Sequence, residues 1–161
     1  MTSAKIFILW VLGVWVMIIN GYEDCTNLKD ISNPNGTSLG TLQGFNVSDC
    51  DVNKVCIIDH NSTTTLSMDF TLNERVEVVN TKVEASLGFI SLELKIGHPA
   101  PCNDTNSGLE CPLEPSDTAY HYTVTDQIKF RIRNQKINVK WSLLNEDAKT
   151  IVCAQVAVMF R

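Results

Sequence analysis

The sequence predicts an all-β protein, a two-sheet antiparallel sandwich held by three disulfides. Three observations predict it. Several stretches alternate apolar and polar residues with period two, the signature of a strand with one buried face. Val, Ile and Thr supply 34 of the residues after position 21 and Ala only six, a bias toward pleated backbone. Six cysteines lie in that same part of the chain, an even number suited to a disulfide framework.

The chain of 161 residues opens with a short basic segment, residues 1–5, and an apolar run over residues 6–19 broken only by Gly13. Asn20-Gly21 and the polar Tyr22-Glu23-Asp24 follow. This is the layout of a secretory signal peptide, and the run falls short of the ~18–20 apolar residues that span a bilayer. We expect a signal peptide over residues 1–21, cleaved near Gly21, and one domain over residues 22–161.

Within that domain the strands declare themselves in turn. Leu66, Met68, Phe70 and Leu72 alternate with Ser67, Asp69 and Thr71. Ile90, Leu92, Leu94 and Ile96 alternate with Ser91, Glu93 and Lys95. Tyr120, His121 and Tyr122 read as part of another strand. Ile128, Phe130 and Ile132 alternate with Lys129, Arg131 and Arg133; Ile137, Val139, Trp141 and Leu143 alternate with Asn138, Lys140 and Ser142; Val156, Val158 and Phe160 close the chain. Turn signals separate them, among them Asn33-Pro34-Asn35-Gly36, Pro99-Ala100-Pro101, Asn106-Ser107-Gly108, Asn134-Gln135-Lys136 and Asn145-Glu146-Asp147. About seven short strands, each with one buried face, make a two-sheet sandwich. No stretch after the leader carries a helical period, and no repeat or linker divides it.

Cys50 and Cys56 are six residues apart and Cys102 and Cys111 nine apart, so each pair can close a local loop. Cys25 and Cys153 would then tie the first strand to the last. Local loops are the least costly to close, but the roughly 15 pairings open to six cysteines are not decided by spacing. Asn35, Asn46, Asn61 and Asn103 stand in N-x-[ST] acceptor sequences, which in a secreted chain predict a glycosylated surface.

Charge and composition exclude several classes. Lys and Arg total 13 against 18 Asp and Glu, for a net charge of −5, which argues against a nucleic-acid binder. At 44% apolar residues the chain is not disordered. Catalysis lacks its parts. Disulfide-bonded cysteines are no nucleophiles, and His60, His98 and His121 have no metal-ligand spacing. The acid pairs Asp49/Asp51, Glu146/Asp147 and Glu23/Asp24 read as solvated turn acids. No enzymatic activity, metal or cofactor is expected, so the protein works by binding. Lys129, Arg131, Arg133, Lys136 and Lys140 form a run of cations without an intervening acid. The run reads either as an ordinary solvated strand face or as a patch that docks on anionic lipid headgroups or an acidic partner. Periodicity alone does not distinguish tightly packed sheets from splayed sheets that enclose an apolar cavity.

The cysteine frame carries a resemblance. Tyr22-Glu23-Asp24-Cys25, Asn46-Val47-Ser48-Asp49-Cys50 with Cys56, Cys102, Gly108-Leu109-Glu110-Cys111-Pro112-Leu113, Tyr120-His121-Tyr122, Val139-Lys140-Trp141-Ser142-Leu143 and Ile151-Val152-Cys153 together resemble the ML (lipid-recognition) domain family. Within it the chain is similar to the Niemann–Pick type C2 sterol carriers and their arthropod relatives, including the mite group 2 allergens. The resemblance spans residues 22–161 and implies an immunoglobulin-like sandwich with an apolar cavity between its sheets. It implies the pairing Cys25–Cys153, Cys50–Cys56 and Cys102–Cys111, no catalysis, and a monomer that is secreted or delivered to the lysosomal lumen. The ligand it implies is a sterol, fatty acid or other apolar lipid, carried for transport. A second function is lipid recognition in innate immunity or chemical signalling, with a receptor reading the complex. The implied lipid-binding positions are Leu92, Leu94, Tyr122, Ile128, Ile132 and Trp141, to which alternation adds Phe70 and Val156. The chain departs from the sterol carriers at residues 90–96, where Leu94 replaces an aromatic and Glu93 and Lys95 replace prolines, and at Ala154, where a Trp is common. A cavity with fewer rings suits a flexible acyl chain as well as a rigid sterol.

Overall fold

A computed structural model of the chain describes residues 22–29, 33–48, 50–51, 54–127 and 134–161. Among the described residues there are nine strands: β1 (Tyr22–Asp24), β2 (Gly40–Val47), β3 (Cys56–Ile58), β4 (Thr63–Leu72), β5 (Asn80–Leu87), β6 (Ile90–Leu94), β7 (Ser116–Gln127), β8 (Lys136–Leu144) and β9 (Thr150–Phe160). They form two sheets. The larger has the order β1-β9-β8-β5-β6, with β3 also on β9; the smaller is β2-β4-β7. The ladders are antiparallel except the short β3–β9 pair, which runs parallel.

The alternating runs behave as expected where a second sheet covers them. Leu66, Met68, Phe70 and Leu72 of β4 are buried, as are Ile137, Trp141 and Leu143 of β8. β9 is the exception by excess: Thr150 through Ala154 are all buried, because β1 and β8 flank it in the middle of its sheet. Four strands carry no readable pattern, for physical reasons. β1 and β3 are three residues each. In β2 a bulge between Leu42 and Gly44 breaks the period, so Leu42 and Phe45 no longer stand two apart. β5 turns Thr81, Val83 and Ala85 inward, and two of these carry little hydrophobic signal. Gly40 opens β2 where a β-carbon would come within 2.5 Å of the Thr71 carbonyl oxygen, so only glycine fits this close strand approach.

One expectation fails. The alternation of Ile90, Leu92, Leu94 and Ile96 does not sink a whole face: Ile90 and Leu92 are 64% and 56% exposed. β6 pairs only with β5 and ends its sheet, and its first half lies beyond the cover of the other sheet. The β5–β6 reversal is made at Gly88, whose φ of +59° a glycine adopts without strain. The strand expected around Ile128 and Ile132 lies outside the described residues, as do residues 1–21.

The disulfides are Cys25–Cys153, Cys50–Cys56 and Cys102–Cys111, and no described cysteine is free. The first fastens β1 to β9, where the Cys25 N–H also donates to the Cys153 carbonyl at 3.1 Å. The buried Thr26 hydroxyl donates to that same carbonyl and accepts from the Cys153 N–H at 3.0 Å. A three-residue edge strand is therefore held by a covalent bond and a side-chain clasp as well as its ladder.

Candidate functional site

The two inner faces do not touch everywhere. At one end of the sandwich Met68, Phe70 and Tyr122 from the smaller sheet and Leu143 and Val152 from the larger pack solidly. Toward the other end the sheets part around a cavity of about 720 Å³. Its walls are apolar: Leu66 and Val124 from the smaller sheet, and Val83, Val139, Trp141, Val156 and Val158 from the larger. Ile58 and Phe160 also contribute, brought together by the parallel β3–β9 pair. Such a volume lies in the range that encloses one small-molecule ligand.

Polar atoms gather at the rim. The exposed or half-exposed Lys95, Gly97, Asp126 and Gln127 are the lining residues where the end of β6 faces the end of β7. There Asp126 Oδ2 accepts a hydrogen bond from the Gly97 N–H at 2.6 Å, and Oδ1 accepts from the Gln127 N–H at 2.8 Å. This carboxylate bridges the edges of the two sheets. Lys95 is the one cation among the described lining residues.

Of the positions expected from sequence, Leu94, Trp141 and Val156 line this cavity. Leu92 shares the inward face of Leu94 but stands exposed on the edge strand and outside the cavity wall. Phe70 and Tyr122 are buried in the filled core that adjoins the cavity. Ile128 and Ile132 lie outside the described residues. The wall also holds residues that are not among the expected lipid-binding positions, Val83, Val124 and Val139 among them. Val139 stands in an alternating run and is in principle findable from it; Val83 belongs to a strand whose pattern is too weak to read.

Because Phe70 fills the core, its truncation should act on stability. Phe70→Ala is expected to cost ~3–5 kcal/mol of unfolding free energy, read by denaturant titration. A variant of native stability would mean that the ring does not fill that space.

Tyr122 is pushed up to about 12 from the ordinary value of 10.0, chiefly by burial, against the opposing hydrogen bonds of the Thr81 and Trp141 side chains to its hydroxyl. The fold favours its neutral form. That contribution is complete below pH 10.0 and is lost as pH rises through about 12. In a tyrosinate absorbance titration one step near pH 12 should vanish in Tyr122→Phe. Ionisation of all tyrosines with ordinary values would overturn the assignment.

Two sheets that part around an apolar cavity, a polar rim and three disulfides define a cavity-bearing β-sandwich. The ML domain model matches residues 21–160, and the chain belongs to that family. It is 33% identical over 122 residues to NPC intracellular cholesterol transporter 2 homolog a of Drosophila melanogaster, covering 75% of this chain and 80% of that protein. It is 27% identical over 150 residues to the ecdysteroid-regulated 16 kDa protein of Manduca sexta, covering 90% and 94%. The crystal structure of a Niemann-Pick type C2 protein from the Japanese carpenter ant superposes with a TM-score of 0.74 at 26% identity, covering 87% of this chain and 98% of that one. The expected family and sandwich fold are thereby established.

Proposed function

We propose that the protein is a secreted, non-catalytic carrier that encloses one apolar lipid, a sterol or an acyl lipid, between its sheets and transports it. The observation that carries this reading is the cavity of about 720 Å³ with apolar walls and a polar rim. Removing apolar surface from water drives binding at ~25 cal/mol per Å² before the costs of association. Two features support passage through the secretory path. All described cysteines are in disulfides, which form in oxidising compartments. Asn35, Asn46, Asn61 and Asn103 all face solvent, where glycans can attach. No helix among the described residues is long and apolar enough to cross a membrane.

The test uses protein harvested from culture medium without detergent. Organic extraction and mass spectrometry identify co-purified lipid, and a fluorescent sterol and a fluorescent fatty acid are titrated in parallel. Saturable binding near one per chain is expected. Absence of both lipid and binding would overturn the reading.

Transfer requires an approach to a membrane. Lys129, Arg131 and Arg133 lie outside the described residues. The described surface offers the β5–β6 tip, where Leu87, Ile90 and a fully exposed Phe89 project at the end of the larger sheet where β8 begins. An apolar tip of this kind suits the interface of a lipid bilayer. Phe89→Ser is expected to slow lipid transfer between vesicles several-fold while leaving equilibrium affinity unchanged. Equal transfer rates would remove the tip from the docking surface.

A further inference from the structure

An edge strand presents unpaired N–H and C=O groups to which another strand can add, and proteins guard such edges. Among the described residues β1, β2, β3, β6 and β7 stand at sheet edges. Four of them are guarded. β1 and β3 have three residues each, and β1 is fastened by a disulfide. β2 is bulged between Leu42 and Gly44 and carries the glycan acceptor Asn46 on its exposed side. β7 is covered in its middle, where the Thr123 N–H donates to the Ser107 carbonyl at 2.8 Å.

β6 lacks these devices. Its five residues include no proline, and no bulge interrupts its ladder with β5. Ile90 and Leu92 belong to the inward row yet stand more than half exposed. On the opposite face lie Glu93 and, two residues on, Lys95, both exposed. Neither has an ion-pair partner among the described residues. Glu93 stands beside Glu84 of β5, whose carboxylate is held by Lys82 at 3.1 Å and Lys140 at 3.7 Å. That placement sets two like charges side by side and supplies Glu93 with no cation.

We propose that this edge takes a second copy of the chain, β6 against β6, antiparallel about a two-fold axis at Leu94. An isologous contact must be self-complementary, and this one is. With the axis at Leu94, Glu93 falls opposite Lys95 of the second copy, and Lys95 opposite its Glu93. On the inner face Leu92 meets Ile96 of the second copy, and Leu94 meets Leu94. A slip of one residue would set apolar side chains against charged ones. An axis at Leu92 would oppose Glu93 to Ser91 and leave both charges unpaired. The ladder runs over residues 92–96 of each copy, because the Gly97 N–H is already given to Asp126 at 2.6 Å. So short an interface makes a reversible dimer, with a Kd on the order of 10 µM, in place of the monomer implied by the family resemblance. The proposal is independent of the lipid-carrier reading, since it uses the strand edge and two exposed charges.

Sedimentation velocity on the full secreted protein, at low ionic strength and over a concentration series, reads the association. The wild type should pass from monomer to dimer. Glu93→Lys and Lys95→Glu should each weaken self-association about tenfold, because by symmetry each change sets like charges opposite one another twice. The two single variants mixed together should recover the wild-type affinity within about twofold, since each then supplies the charge the other lacks. That recovery also shows that both variants are folded. The double variant Glu93→Lys/Lys95→Glu should likewise dimerise as the wild type does. A wild type that stays monomeric up to about 1 mM would overturn the proposal. So would a dimer indifferent to both reversals, which would place the contact elsewhere, or a mixture that associates no better than its components.

Discussion

Val139→Asp is expected to lower lipid affinity about a hundredfold at neutral pH, ~2.7 kcal/mol, without preventing folding. Val139 lines the cavity beside Val156, its register partner on the adjacent strand of the same wall, and is only half-buried, so in the empty protein water reaches a carboxylate placed there. A lipid that fills the cavity expels that water and strands the charge. Desolvation raises the pKa of the new carboxyl in the complex, so affinity should recover as pH falls through the carboxylate range, near ~4. Val139→Leu, which keeps the wall apolar, should bind as the wild type does. Parallel titrations of a fluorescent lipid at neutral and acid pH measure all of this. Undiminished binding by Val139→Asp at neutral pH would place the lipid elsewhere than between the sheets.

Replacing both Cys25 and Cys153 by alanine should be the most destabilising change among the disulfides. That bridge joins residues separated by 128 positions, against 6 for Cys50–Cys56. In the chain-entropy account, which is model-dependent, the longer loop contributes about 5 kcal/mol and the shorter about 2. The native side adds to the difference, since β1 has only a three-residue ladder on β9 and Cys153 is fully buried beside the Thr26 clasp. Denaturant unfolding of the two double variants compares the losses directly. Equal losses would show that loop closure does not govern the stability of this sandwich.

Much of the architecture is legible in the order of the amino acids. β4 and the second half of β9 each carry an unbroken period of two that burial follows; β8 carries the same period, but Ser142 is buried along with Trp141 and Leu143 because β5 and β9 flank it within the sheet. Where the period is interrupted it misleads: the β2 bulge hides a strand that lies between Gly40 and Val47. β6 misleads in the other direction, because its alternation is regular while its position at the edge of a sheet leaves Ile90 and Leu92 in solvent. The candidate site shows the same division. Leu94, Trp141 and Val156 are expected at the cavity and line it, whereas Phe70 and Tyr122 share the inward direction and fill core instead.

Local chemistry is written along the chain: strands where apolar and polar residues alternate, six cysteines suited to three disulfides, and apolar residues on one face of each long strand. Alternation says which way a side chain points and nothing about what it meets. Where the two inner faces touch and where they part, and which strand ends a sheet, follow from packing in three dimensions. Those outcomes depend on the separation of two sheets assembled from distant segments, and a period of two along one strand carries no measure of that distance.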